Sequence, residues 1–118
     1  MQDFRKLLVW QRAQAFAAAV YGATRAVRGR DVVSLRSQVR RSSQSIAANV
    51  AEGANTAGSR DFARYLQIAI GSASETESHL DLAVRTSVLD AAVAMPLIDE
   101  VVQIRRMLIV LRRRVLTG

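Results

Sequence analysis

Apolar side chains recur along this chain in steps of three and four residues, and the stepping is interrupted three times. That period places one buried stripe along each of four α-helices. The first stripe runs Trp10, Ala13, Phe16 or Ala17, Val20, Thr24 and Val27, and Arg28-Gly29-Arg30-Asp31 breaks it, because glycine is favoured just beyond a helix end. A second runs Leu35, Val39, Ser42, Ile46 and Val50 and stops at Gly53, before the turn-rich Ala54-Asn55-Thr56-Ala57-Gly58-Ser59. Ser59 then reads as the N-cap of a third helix, with Asp61 favourably placed in its first turn. The third stripe is Phe62, Leu66, Ala69 with Ile70, Ala73, Leu80 and Val84, ending near Ser87. The fourth helix opens around Asp90, or more tightly at Met95-Pro96, and its stripe is Leu97, Val101, Ile104, Leu108, Leu111 and Val115.

The expected helices are approximately 7–28, 33–53, 59–87 and 92–116 in a single domain spanning 1–118. Short connections make an all-α, antiparallel up-down-up-down four-helix bundle the economical fold. A second apolar row on the fourth helix, Ile98, Val102, Ile109 and Leu116, either widens the core contact or stays exposed as an interface. That spare row makes the chain a candidate for self-association.

Composition narrows the function classes. The chain has no cysteine, which excludes disulfide staples, thiolate metal sites and cysteine nucleophiles. His79 is the only histidine and no glycine loop of the phosphate-cradling kind is present, so neither a metal, a cofactor nor a catalytic role is expected. No apolar run reaches the roughly 20 residues a membrane span needs, and the start lacks the pattern of a signal peptide, so the expected location is the cytoplasm.

Charge points the other way, toward a partner. Seventeen basic residues against ten acidic ones leave a net charge of +7, and all but Lys6 of the basic residues are arginine. The permanently charged, forked guanidinium suits phosphate and carboxylate alike. Arg36, Arg40 and Arg41 cluster on the second helix and Arg105, Arg106, Arg112, Arg113 and Arg114 on the fourth, and these eight are the candidate nucleic-acid-binding residues. The competing reading is a protein-interaction scaffold whose basic face binds an acidic or enzyme partner.

Polar residues also fall beside the core stripes. Gln38, Ser45, Asn49 and Glu52 share a face of the second helix, and Gly71, Ser72 and Glu75 lie mid-way along the third. The favoured reading is an interhelical hydrogen-bond network, with an arginine such as Arg40 or Arg41 neutralising a carboxylate and with Gly71 admitting a neighbouring helix closely. On that reading Asn49→Ala or Glu75→Ala costs about 1 to 3 kcal/mol, and Gly71→Leu disrupts packing by overlap.

Three stretches carry a family resemblance: Phe4-Arg-Lys-Leu-Leu-Val-Trp-Gln11, the run from Leu35 through Gln38-Val-Arg-Arg-Ser-Ser-Gln-Ser-Ile-Ala-Ala-Asn-Val-Ala-Glu-Gly53, and Phe62-Ala-Arg-Tyr-Leu-Gln-Ile-Ala-Ile-Gly-Ser-Ala-Ser-Glu75. Together they resemble the four-helix-bundle family of 23S rRNA intervening-sequence proteins over nearly the whole chain. The pattern positions fall on Trp10, Gln38, Arg40, Arg41, Ser45, Asn49, Glu52, Gly53, Gly71, Ser72 and Glu75. Val50 and Ala73 depart slightly from the pattern, and Val27-Arg28-Gly29 lacks the frequent Phe-Pro of the first loop. The resemblance implies a homopentameric ring. It also implies kinship with a basic accessory protein of diversity-generating retroelements that binds nucleic acid and a reverse transcriptase.

Overall fold

The computed structural model describes residues 3–118. Among them there is no strand: one 3-10 turn, Phe4–Lys6, is followed by α1 (Leu8–Thr24), α2 (Arg30–Ala54), α3 (Ser59–Arg85) and α4 (Ala91–Thr117). The helices pack as a rod of 46 × 20 × 19 Å in which α1 touches α2 and α4, and α3 touches α2 and α4. No contact joins α1 to α3 or α2 to α4 among the described residues, so these pairs occupy opposite corners.

The stripes read from the sequence meet in one core. Ala13, Phe16 and Val20 of α1, Val39, Ile46 and Val50 of α2, Leu66, Ala69, Ala73 and Leu80 of α3, and Leu97, Val101, Ile104 and Leu108 of α4 are all buried, and Val9 takes the buried place expected for Trp10. Aliphatic side chains of similar length fill such a centre with few voids, which is why so few aromatic residues suffice. Trp10 instead sits half-buried at the rim, its ring edge-on to Phe4 at 5.0 Å.

The ends of the helices depart from the sequence reading in three places. α1 stops at Thr24, well before the glycine, and Gly29 with φ of 109° supplies the left-handed turn into α2. The α1 terminus is closed by arginines from α2: Arg40 Nε donates to Thr24 Oγ1 at 2.8 Å, and Arg36 Nη1 donates to the Val27 carbonyl at 2.8 Å. Cationic donors at a helix C-terminus satisfy orphan carbonyls and oppose the negative dipole end. Ser59 is the first residue of α3 and not its cap; Gly58 holds that position, without a side-chain cap bond.

α4 begins at Ala91, so Pro96 lies inside the helix. The missing N–H leaves the Ala92 carbonyl without its helical donor, which is tolerable because Ala92 is exposed to water. α3 closes through Ser87 in the left-handed region (φ 60°), with Val88 N–H donating back to Ala83 O at 2.8 Å. Two ion pairs then tie the rod laterally. Arg12 of α1 grips Glu100 of α4 through two N–H donors at 3.0 and 2.5 Å, and Arg105 of α4 reaches Glu77 of α3 at 2.5 Å. The hydrogen bonds that Arg12 donates to the Glu100 carboxylate hold the guanidinium proton more firmly than usual.

Candidate nucleic-acid interface

Arg36, Arg40 and Arg41 lie in the first half of α2, where that helix passes the end of α1. They line one recess of about 380 Å³ together with Tyr21, Val33, Ser37 and Gln44. Arg40 lies over the Tyr21 ring at 4.4 Å, and Gln44 donates to the Tyr21 hydroxyl. Among the described residues no carboxylate lines the recess and none of the three arginines forms an ion pair. A guanidinium has five N–H donors, so capping α1 leaves Arg36 and Arg40 further donors for a ligand. Arg41 is exposed and makes no hydrogen bond to another described group. This is a cationic surface, with Val33 its one aliphatic wall, that fits phosphate oxygens.

The arginines of α4 do not extend that surface. α4 stands at the corner opposite α2, and its five arginines point in different directions. Arg105 is committed to Glu77 and is removed from the candidate set, since its charge is already compensated inside the chain. Arg106 and Arg114 line a groove of about 420 Å³ between α1 and α4, walled by Leu7, Leu8, Met107, Val110 and Leu111. Arg112 and Arg113 line a second groove of about 420 Å³, between α3 and α4. The reason is helical geometry: consecutive residues lie about 100° apart on the helix, so a run in sequence is a fan in space. The two expected clusters therefore face three separate surfaces, and the α2 recess, with Val33 as its one aliphatic wall, is the least apolar of them.

The polar residues of α2 and α3 also divide. Ser45 and Ser72 join through their hydroxyls at 2.9 Å, and Asn49 Nδ2 donates to Ser45 O and Oγ at 2.8 and 2.9 Å. The network continues into the core where Thr76 Oγ1 donates to Ser42 Oγ at 2.8 Å, both hydroxyls buried. Thr76 was missed by the sequence reading, although it sits on the core stripe between Ala73 and Leu80. Gln38, Glu52 and Glu75 are exposed and lie outside the network, and Arg40 bonds to Thr24 and Tyr21 O and not to a carboxylate.

Gly71 is corrected as well. It faces outward, with nothing within 4 Å of where a Cβ would stand, so it admits no neighbouring helix within the chain. Gly53 does that work: a Cβ there would lie 2.8 Å from Phe62 Cδ1 and 2.9 Å from Tyr65 Cβ. The energetic expectation changes accordingly. Asn49→Ala should cost about 1 kcal/mol in urea unfolding, and Glu75→Ala should stay within about 0.5 kcal/mol of the parent. A loss of several kcal/mol in the Glu75 variant would contradict this geometry.

Among the described residues no three His, Asp or Glu side chains gather as a metal site requires, and no helix is long and apolar enough to cross a membrane. No curated protein matches the chain. A crystal structure of a protein of unknown function from the S23 ribosomal protein family of Bacteroides thetaiotaomicron superposes with a TM-score of 0.83 at 26% identity, covering 89% of this chain and 98% of that one. The family described as 23S rRNA-intervening sequence protein matches residues 5–110. Fold, core pattern and match over nearly the full length agree, and the chain belongs to the family of 23S rRNA-intervening sequence proteins.

Proposed function

We propose that this protein is a non-catalytic, cytoplasmic binding module that holds structured nucleic acid, RNA including rRNA or duplex DNA, through the arginines in the first half of α2. The observation that carries the reading is the recess of Arg36, Arg40 and Arg41, three guanidinium groups beside Tyr21, Val33, Ser37 and Gln44, with no carboxylate among the described residues that line it. Like charges held that close are relieved by phosphates, and released counterions drive the association. Membership of the 23S rRNA-intervening sequence protein family agrees with an RNA target.

The molecule is further proposed to work as a homo-oligomer of up-down-up-down bundles, a pentameric ring on the family resemblance. The contacts Gly53 to Phe62, Ser45 to Ser72 and Ser42 to Thr76 support the alternating course of α2 and α3. Ile68 and Leu82, exposed on the outer side of α3 along with the bare Gly71, support a second copy covering that face. Light scattering at micromolar concentration tests the assembly, and a lone monomer would refute it.

The binding test is a titration of the protein with an RNA hairpin and with duplex DNA at low and at physiological salt. Three phosphate contacts predict a log–log salt slope of about 2 to 3. Absence of binding at low salt would end this reading.

A further inference from the structure

The groove between α3 and α4 has a different chemistry from the α2 recess. Its walls are Ile70, Ile109 and Leu116, its polar members are Gln67, Arg112, Arg113 and Thr117, and its volume is about 420 Å³. Ile109 and Leu116 are 38% and 49% exposed, large for apolar side chains on a bundle exterior. They are the lower half of the spare row on α4; the upper half, Ile98 and Val102, is half-buried against the bundle. The Nε of Arg112 is closed to water and meets no acceptor among the described residues. A permanently charged donor in that position lacks a counterpart.

We propose that this groove docks an acidic amphipathic helix of a protein partner, with apolar side chains seated on Ile70, Ile109 and Leu116 and a carboxylate received by Arg112 and Arg113. A modest turn of the Arg112 side chain brings Nε and a terminal nitrogen to one carboxylate as a two-pronged donor. The apolar floor disfavours a nucleic-acid strand, whose backbone has little to cover isoleucine and leucine. The recessed shape disfavours a flat lipid surface. A second copy meeting the groove across a two-fold axis would bring Arg112 and Arg113 against their own equivalents, and a ring neighbour seated there would show as a change of native mass in the Ile109 variant. What remains is a helix with an apolar stripe and carboxylates along its edge.

The probe is a fluorescein-labelled synthetic helix of about five turns with a leucine stripe flanked by glutamates, beside a scrambled peptide of identical composition. Fluorescence anisotropy at physiological salt should show binding of the ordered peptide and roughly tenfold weaker binding of the scrambled one. Ile109→Ser and Arg112→Gln, each on the exterior and checked by circular dichroism, should weaken the ordered peptide about fivefold or more. Arg41→Glu should leave peptide binding unchanged while weakening nucleic acid, which separates this proposal from the preceding one. Equal binding of the two peptides would overturn it, as would indifference to Ile109→Ser, or displacement of the peptide by the RNA hairpin or by anionic vesicles. A change of native mass in the Ile109 variant would assign the groove to a second copy and overturn it too.

Discussion

Gly53→Ala is expected to destabilise the protein by about 2 to 3 kcal/mol, whereas Gly71→Ala should stabilise the isolated chain by about 0.5 to 1 kcal/mol. Both glycines lie inside helices, and by propensity alone alanine would improve each. The difference is what stands opposite. At Gly53 the new methyl meets Tyr65 Cβ at 2.9 Å, an atom fixed to the α3 backbone, and Phe62 Cδ1 at 2.8 Å. Relief requires α2 and α3 to separate where they pack, which loosens Val50, Leu66 and the other core side chains between them.

At Gly71 no atom stands within 4 Å of the added methyl. Urea denaturation of the two variants, at several protein concentrations, measures both signs. A neutral Gly53→Ala would mean the helices do not approach as described. A destabilised Gly71→Ala whose loss grows with concentration would mean that a second copy packs on that face in solution, as the proposed assembly requires.

Replacing Arg36, Arg40 and Arg41 together by glutamine is expected to reduce nucleic-acid affinity about a hundredfold at low salt and to lower the salt slope by about 2 to 3. The same change in Arg106, Arg113 and Arg114 should reduce affinity far less, because those side chains fan around α4 beside apolar walls. Arg36 and Arg40 also close the end of α1, so the triple variant should lose about 1 to 2 kcal/mol of stability. Arg41→Glu removes that ambiguity: Arg41 caps nothing, and its loss should weaken binding about tenfold or more with unfolding unchanged. If the α4 triple variant proves as damaging as the α2 one, the assignment of the interface to α2 fails.

Much of the fold is legible in the residue order. The stripes Val39, Ile46, Val50 and Leu97, Val101, Ile104, Leu108 are the buried faces observed, since burial of an amphipathic helix leaves little freedom about which side turns inward. Helix ends were less legible. α1 ends at Thr24, where Arg40 of α2 donates to the Thr24 hydroxyl and the Tyr21 carbonyl, and no local rule announces a donor sixteen residues away. Pro96 left two starts open for α4, near Asp90 or at the proline, and the earlier one holds because the orphaned carbonyl belongs to exposed Ala92.

The site was half legible. Arg36, Arg40 and Arg41 fall within six residues, so their gathering follows from one helix alone. The α4 arginines are spread over ten residues, Arg105 belongs to Glu77, and the others look into different grooves. Ser45, Asn49 and Ser72 were found because a polar residue beside a core stripe must find partners. Glu52 and Glu75 were wrongly added to them, because spacing cannot tell the near edge of a helix face from its solvent side.

What the residue order determined by itself is the set of four amphipathic helices, their inward stripes and the sign and amount of surplus charge. These follow from interactions within a few residues along the chain and from the period of the helix. What only the tertiary structure decided is which guanidinium groups keep their charge uncompensated, which glycine is compressed between helices and which apolar residues are left without cover. Those depend on distances between residues far apart in sequence, such as Arg105 and Glu77 or Gly53 and Tyr65, and such distances exist only once the helices have packed.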